Sequence, residues 1–157
     1  MMRSPITTVG KKKIEAELNN LIKVERETIK RAIADARAQG DLSENADYQY
    51  AKEKQSSIEG RIMQLQGILA QCDEIDVNTI ASEKIVFGAY VKLFDEQKNS
   101  SVEYQIVGDD EADIATNKIS YKSPLGRALI GKEDGDVVTV KAPKGEIEYE
   151  IQSFRFK

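Results

Sequence analysis

The chain has 157 residues, enough for one ordinary domain or two small ones, and 32% of them are charged while none is histidine. The absence of histidine excludes a Ser-His-Asp triad, a histidine-containing metal cage and a histidine pH switch, so carboxylates are the main candidates for acid–base or metal chemistry, with Tyr, Lys and Cys as poorer ones. The net charge of −4 argues against free, non-specific DNA binding. A single cysteine, Cys72, excludes a disulfide framework and predicts a cytoplasmic protein, and no apolar run approaches the roughly 20 residues of a membrane span.

Apolar residues with the spacing of a helix begin close to the N-terminus. Thr7 or Thr8 can cap a helix that continues to about Ala38, where Gly40 is well placed to end it. About 30 residues at about 1.5 Å each predict a rod of roughly 45 Å. The apolar positions that repeat along one face are Ile14, Leu18, Leu21, Ile22, Ile29, Ala32, Ile33 and Ala36.

A second helix is predicted to begin near Ser43 or Glu44 and to end near Cys72. Its apolar positions alternate in steps of three and four residues, which is typical of a helix packed along a partner helix. They are Tyr48, Ala51, Gln55, Ile58, Ile62, Leu65, Leu69 and Cys72. Because the connection between the two helices is short, they must fold back antiparallel, so residues 1–76 are predicted to form a coiled-coil hairpin.

Two carboxylates, Asp41 and Glu44, lie at the predicted tip of this hairpin. They are three residues apart, so they face the same way and could each give an oxygen to Mg²⁺. Two carboxylates alone hold Mg²⁺ weakly, so a useful site would need ligands from a partner. The alternative is a capping box, with Asp41 as N-cap and Glu44 at the third helical position, although Ser43 competes as the cap.

Two basic residues flank the tip, Arg37 before it and Lys52 after it. In an antiparallel hairpin they should lie near one another, behind the carboxylates. Such a basic spot could hold a nucleic-acid backbone through phosphate contacts. Ordinary solvated surface charge is the alternative.

After a boundary at about 75–80, apolar residues recur at every second position, which predicts a separate sheet domain over residues 80–157. Ser123 and Pro124 are predicted to open its one short helix, which ends near Leu129, with serine as N-cap and proline at the first helical position. The fold class is therefore α+β, a helical hairpin followed by a mostly antiparallel sheet. The predicted strands are residues 85–87, 89–94, 102–107, 118–121, 136–140 and 146–151.

Three separated motifs resemble the bacterial Gre transcript cleavage factors in order and spacing, and the resemblance covers nearly the whole chain. The motifs are residues 40–48, 106–113 and 123–131. The resemblance implies an FKBP-like C-terminal domain without isomerase activity. It also implies that the coiled coil enters the secondary channel of a backtracked bacterial RNA polymerase. There it would stimulate the polymerase to cleave its own extruded RNA, without being an enzyme itself.

The same resemblance implies roles for individual residues. Asp41 and Glu44 would help to bind the second Mg²⁺ of the polymerase active site, an ion that the free protein does not hold stably. Arg37 and Lys52 fall where the family has a basic patch that contacts the 3′ segment of the nascent RNA. A docking loop would grip the rim of the channel, and the free protein is expected to be a monomer without membrane contact. This docking loop consists of Ser123, Pro124, Leu125 and Gly126.

Two other functions remain open from the sequence. A protein of similar shape could occupy the polymerase channel without stimulating cleavage, although the paired carboxylates argue against this. The hairpin could instead serve only to dimerise the protein. Two complementary apolar faces joined by a short connection can pack against each other within one chain and leave no apolar face for a second copy, which disfavours that alternative.

Overall fold

The structure is a computed structural model that describes residues 3–40, 45–143 and 145–156. Contacts divide the chain into two compact units, Met1–Gly10 with Asp73–Lys157, and Lys11–Cys72. The first residues therefore group with the C-terminal unit, whereas the sequence placed them in a hairpin of residues 1–76. The reason is a two-stranded sheet formed by β1 (Ser4–Thr7) and β2 (Cys72–Ile75).

Two long antiparallel helical segments make up the other unit. The first segment is helical from Thr8 to Arg37, close to the predicted span, and contains one π-helical turn. The second begins later than predicted, because Asn45 rather than an earlier residue serves as its N-cap. The elements are α1 (Thr8–Asn20), the π-helical turn (Leu21–Glu25), α2 (Arg26–Arg37) and α3 (Ala46–Gln71).

The predicted apolar seam is where the two segments pack. Ile58 and Ile62 of α3 are buried in one cluster with Ile29 and Ile33 of α2. Every position predicted for the two faces is buried or half-buried. Bonds that join Ala36 to Asn45, Arg26 to Glu59 and Glu17 to Arg61 establish the antiparallel direction.

The C-terminal unit contains a five-stranded sheet in the order β5-β4-β3-β7-β6, with one short helix, α4 (Pro124–Leu129). This agrees with the predicted α+β class. Two short 3₁₀ turns, Val77–Thr79 and Ile114–Thr116, lie between the elements. The strands of the sheet are β3 (Tyr90–Asp95), β4 (Ser100–Val107), β5 (Lys118–Ser120), β6 (Val137–Ala142) and β7 (Gly145–Arg155).

The sheet is mostly antiparallel, as predicted, although one neighbouring pair is parallel and one predicted strand is missing from it. One neighbouring pair, β4 and β5, is parallel, because the connection between them carries the chain back before β5 begins. The expected strand at Ile85 does not form, since its backbone bonds to a loop instead. The Ile85 amide donates to the Lys132 carbonyl at 2.9 Å, and the Gly131 amide donates to the Ile85 carbonyl at 2.7 Å.

The core of the C-terminal unit lies between the sheet and α4. Its fully buried members, all 0% exposed, include Ile85, Val91, Leu93, Ile106, Leu129 and Ile151. Cys72 is buried, as expected of a packing residue. Among the described residues, no helix combines the length and the apolar character that a membrane crossing requires.

Candidate functional sites

Asn45 joins the two helical segments at the predicted tip. Its side-chain amide donates to the Ala36 carbonyl at the end of α2, with an Nδ2-to-oxygen distance of 2.7 Å. Its Oδ1 accepts from the Tyr48 amide at 3.1 Å, which caps α3. Sequence reasoning missed this residue, because Asp41 and Ser43 are equally good caps and stand earlier in the chain. The cap of α3 is thus Asn45, whereas Asp41, the N-cap in the alternative capping-box interpretation, lies outside the described residues.

The C-terminal end of α2 closes as the sequence predicts. The Gln39 amide donates to the Ala36 carbonyl at 3.2 Å, and the Gly40 amide donates to the Arg37 carbonyl at 3.4 Å. Gly40 has a φ of +112°, a backbone conformation that a residue with a side chain adopts only under strain. Asp41 and Glu44 follow directly and lie outside the described residues, so their assignment as Mg²⁺ ligands stays a prediction.

The two predicted basic residues are both exposed. The guanidinium of Arg37 lies over the ring of Tyr48, 5.8 Å from its centroid, at the range of a cation–π contact. The ammonium of Lys52 donates to Gln55 at 3.4 Å. Tyr48 and Lys52 are four residues apart on α3 and so share a face, and Arg37 lies beside that face. The geometry agrees with a basic spot at this end of the hairpin.

Two bidentate ion pairs connect the helical segments away from the tip. Both nitrogens of the Arg26 fork donate to Glu59 at 2.9 Å, and Arg61 binds Glu17 at 2.7 and 2.9 Å. The hydrogen bond from Arg26 lowers the pKa of Glu59, and the bond from Arg61 lowers the pKa of Glu17. The first pair lies where the apolar pattern of the first segment is interrupted, at the π-helical turn. These pairs help to fix the register of the two segments.

The docking loop has the local structure that its sequence predicts. Ser123 accepts from the Gly126 amide at 3.1 Å and donates to the Ser120 carbonyl at 2.7 Å, while Pro124 occupies the start of α4. Gly126 is buried, and a Cβ there would stand 2.3 Å from the Ser120 carbonyl oxygen. The half-buried Leu125 packs against the core. The loop is therefore held rigidly and presents Pro124 to solvent.

Asp109, in the motif at residues 106–113, bonds to the segment that directly precedes the docking loop. Its carboxylate accepts a short hydrogen bond from Ser120 and pairs with Lys122 at 3.3 Å. The bond from Ser120 lowers the pKa of Asp109, and Lys122 lowers it further. The motif at residues 106–113 thus braces the strand that leads into the docking loop.

Glu111, from the same motif, holds the N-terminal segment. Its carboxylate accepts from the Thr7 amide at 2.8 Å, from the Thr7 hydroxyl, and from the Gly108 amide at 3.3 Å. The Thr7 hydroxyl oxygen in turn accepts from the Gly10 amide at 3.0 Å and caps α1, as predicted for Thr7 or Thr8. Sequence reasoning missed Glu111, because it lies 104 positions after Thr7 in the chain.

A shallow groove lies beside the docking loop, between α4 and β6, with a volume of about 330 Å³. Ile130 and Val137 expose apolar surface there, 37% and 54% respectively. Arg127 and Lys132 also line it. The groove therefore combines two exposed apolar side chains with two cations, a combination that suits an acidic polypeptide better than a nucleic acid.

No group of three or more potential metal ligands occurs among the described residues, 3–40, 45–143 and 145–156. Carboxylate oxygens are the donors that Mg²⁺ prefers, so Asp41 and Glu44 suit it in kind. Two donors fall short of its octahedral shell in number. The donor set fits an ion that a partner protein also holds.

Known sequence families match both parts of the chain. Residues 4–73 match the family described as "Transcription elongation factor, N-terminal". Residues 80–156 match "Transcription elongation factor, GreA/GreB, C-term". The chain belongs to the GreA/GreB family. The resemblance that the three motifs indicated is thereby confirmed.

Individual relatives of the GreA/GreB family agree along the full length. "Transcription elongation factor GreA" of Thioalkalivibrio sulfidiphilus is 52% identical over 99% of this chain and 99% of its own. The GreA of Thermodesulfovibrio yellowstonii is also 52% identical, over 99% and 98%. A crystal structure of Thermus aquaticus Gfh1 overlays with a TM-score of 0.45 at 25% identity, covering 99% of both chains. The similarity in sequence to these GreA proteins identifies the chain as a transcription elongation factor that is most similar to GreA.

Proposed function

We propose that this GreA/GreB-family protein binds bacterial RNA polymerase through the secondary channel and stimulates cleavage of the 3′ RNA in backtracked elongation complexes. The polymerase performs the cleavage, and elongation then resumes. The full-length relation to proteins named GreA carries this proposal. The long antiparallel hairpin, in which the Asn45 side chain connects the end of α2 to the start of α3, suits a probe that reaches into a channel.

The tip carboxylates are proposed to complete the polymerase active site. Asp41 and Glu44 would each give an oxygen to a Mg²⁺ that polymerase ligands also hold. Bound there, Mg²⁺ would supply Lewis-acid activation of the attacking water. The chain's own contribution is to bring two negative charges to the site and to orient that water. An ion shared in this way explains why two protein ligands suffice.

The remaining residues are proposed to bind the other components of the complex. Arg37 and Lys52 would hold phosphates of the extruded RNA, since both are exposed at the tip end and Arg37 is oriented by Tyr48. The docking loop would contact the channel rim with Pro124, and the groove beside it would extend that contact. The protein would act as a monomer in the cytoplasm.

The test uses purified elongation complexes that carry end-labelled RNA and are stalled in a backtracked register. We expect the protein to release short 3′ fragments and to restore elongation when nucleotides are added. A parallel competition assay measures binding to the polymerase. Binding without any increase in cleavage would overturn the proposal and identify a non-catalytic channel binder. Absence of binding would overturn the assignment of the polymerase as partner.

A further inference from the structure

We propose that the outer edge of β6 is a docking strand, to which an extended acidic segment of the RNA polymerase adds as a further strand of the sheet. The proposal rests on the proposed function, since it takes the polymerase as the partner. It goes beyond that function by assigning the partner segment a conformation and a charge. Three observations carry it, namely an unpaired strand edge, the groove beside this edge and the two cations that line the groove.

The first observation is that β6 ends the five-stranded sheet. It pairs with β7 on one side and with no other strand of the described residues. The Ile151 amide donates to the Asp136 carbonyl at 2.8 Å, and Val137 is the next position of the same ladder. Because hydrogen-bonded and non-bonded positions alternate in an antiparallel pair, the backbone groups of Val137, Thr139 and Lys141 point away from β7. An added strand can bond to these groups.

Only part of this edge is unprotected. Proteins protect strand edges with charged side chains, with proline or by keeping the edge strand short. β5, at the opposite edge of the sheet, has three residues, whereas β6 has six. On β6, Lys141 and the following Pro143 stand at the end that leads into the turn, while the other end carries Val137, which is 54% exposed. The unprotected half of the edge therefore runs from Val137 to Thr139.

The groove lies along this unprotected half. Val137, Val138 and Thr139 line it from the sheet, and Ala128 and Ile130 line it from α4 and the residue that follows α4. Successive side chains of a strand point to opposite faces of a sheet. In a segment paired with β6, one set of side chains would therefore enter the groove beside Ile130, and the other would lie beside the exposed side chain of Val137.

The two cations of the groove determine the charge of the segment. Arg127 and Lys132 line the groove, and neither makes an ion pair within the described part of the chain. None of the acidic residues that follow Lys132 lines the groove, and the carboxylate of Asp136 accepts from the Glu133 amide at 2.9 Å. Carboxylates of a bound segment would meet both cations, and such complementarity speeds association and excludes wrong partners.

Two other occupants are disfavoured. A nucleic acid would leave the exposed Ile130 and Val137 without apolar partners. Two copies of this chain could pair through their β6 edges, but the cations of one groove would then approach those of the other. The polymerase is also the partner proposed for the docking loop, which Arg127 and Ala128 follow directly in α4. An acidic segment of the polymerase therefore fits the edge and the groove together.

The test measures backbone protection and affinity with the full-length protein. Hydrogen exchange of the β6 amides is compared between the free protein and its complex with polymerase. The competition assay then gives the polymerase Kd of Thr139→Pro, which lacks the outward amide, and of Thr139→Val, which keeps it. An edge strand tolerates proline where the amide faces away from the sheet, so pairing with β7 is retained. Circular dichroism confirms the fold of each variant.

A second set of variants tests the charge. Arg127→Gln combined with Lys132→Gln removes both cations of the groove. Lys141→Gln is the matched control, because Lys141 is exposed on the same strand and does not line the groove. Each protein is measured at two salt concentrations, since salt screens the attraction between exposed charges. The maximal rate of stimulated cleavage at saturating protein is recorded for every variant.

We expect the amides of Val137 and Thr139 to exchange more slowly in the complex than in the free protein. Thr139→Pro and the double glutamine variant should each raise the Kd by about tenfold, the consequence of losing one or two hydrogen bonds to the partner. The effect of the double variant should shrink at the higher salt concentration. Thr139→Val and Lys141→Gln should bind as the wild type does. All variants should reach the wild-type maximal rate, because the edge contributes to binding alone.

Several results would overturn the proposal. Unchanged exchange of both amides in the complex would exclude strand pairing, as would equal affinities of Thr139→Pro and Thr139→Val. A wild-type Kd in the double glutamine variant would exclude an acidic segment. Protection of the same amides in the free protein at rising concentration would assign the edge to a second copy. A wild-type protein that did not bind polymerase would refute the proposed function as well, whereas binding without protection would refute this proposal alone.

Discussion

The contact between Glu111 and the start of α1 predicts that the effect of Gly10→Ala on the free energy of unfolding has opposite signs in the presence and in the absence of the Glu111 side chain. A Cβ added at Gly10 would lie 2.2 Å from Oε2 of Glu111. The carboxylate would have to move by about 1 Å to reach an ordinary contact distance, which breaks its bonds to Thr7. Alanine is otherwise favoured over glycine in a helix by up to about 1 kcal/mol. Gly10→Ala should therefore destabilise the wild type but stabilise a Glu111→Ala variant.

The magnitudes follow from the bonds that each change removes. Glu111→Ala loses charge-assisted bonds to Thr7 and Gly108, worth about 2–3 kcal/mol together because they are partly exposed and not independent. Gly10→Ala in the wild type loses most of these bonds and gains helix propensity, a net loss of about 1 kcal/mol. In the Glu111→Ala background only the gain remains, so the coupling between the two sites is about 2 kcal/mol.

The measurement is urea unfolding of the four proteins, followed by far-UV circular dichroism and tyrosine fluorescence. With a slope of about 2 kcal/mol per molar urea, a change of 1 kcal/mol moves the midpoint by about 0.5 M. Gly10→Ala should lower the midpoint in the wild type and raise it beside Glu111→Ala. Additive effects, with the same sign in both backgrounds, would refute the reasoning about this contact.

Three further predictions concern the hairpin, the docking loop and the basic spot. Ile62→Ala, at a residue 2% exposed, should lower the free energy of unfolding by about 2–5 kcal/mol in urea titrations, whereas Met63→Ala, at 71% exposure, should change little. Because the folded pKa of Asp109 is lowered, its stabilisation is present above the unfolded carboxyl pKa and is lost as pH falls through the folded value. The difference in free energy of unfolding between the wild type and Asp109→Asn should therefore become smaller as pH is lowered in a series of urea titrations. A difference that grew at low pH would contradict this prediction. Arg37→Ala combined with Lys52→Ala should reduce cleavage more in extensively backtracked complexes than in shortly backtracked ones and should weaken the salt dependence. Equal losses in both complexes would point to another role.

Local pattern was sufficient to predict the helical hairpin. The three- and four-residue spacing through Ile58 and Ile62 can be satisfied only by a partner helix, and the run containing Ile29 and Ile33 supplied one. Ser123 likewise carries its own signal, because a serine before a proline defines a helix start without reference to the rest of the fold. Such features depend on neighbours within one or two turns.

The features that sequence reasoning missed depend on distant partners. Three good caps, Asp41, Ser43 and Asn45, stand within five residues, and the choice of Asn45 is tied to a carbonyl of the other helical segment. Ile85 has the residue type of a strand, but its backbone partners lie in the loop after α4. The bond between Glu111 and Thr7 has no local signature at all. The period of a single segment does not encode such pairings.

The most direct test of the central claim is the Mg²⁺ dependence of cleavage with substituted tip carboxylates. Asp41→Asn and Glu44→Gln remove one charge each with little change in shape, and Asp47→Asn, an exposed residue in the first turn of α3, is the matched control. At saturating protein, both tip variants should lose stimulated cleavage or require far more Mg²⁺, while they still compete with the wild type for polymerase and the control behaves as the wild type. Full stimulated cleavage by both tip variants at the wild-type Mg²⁺ concentration would contradict the account.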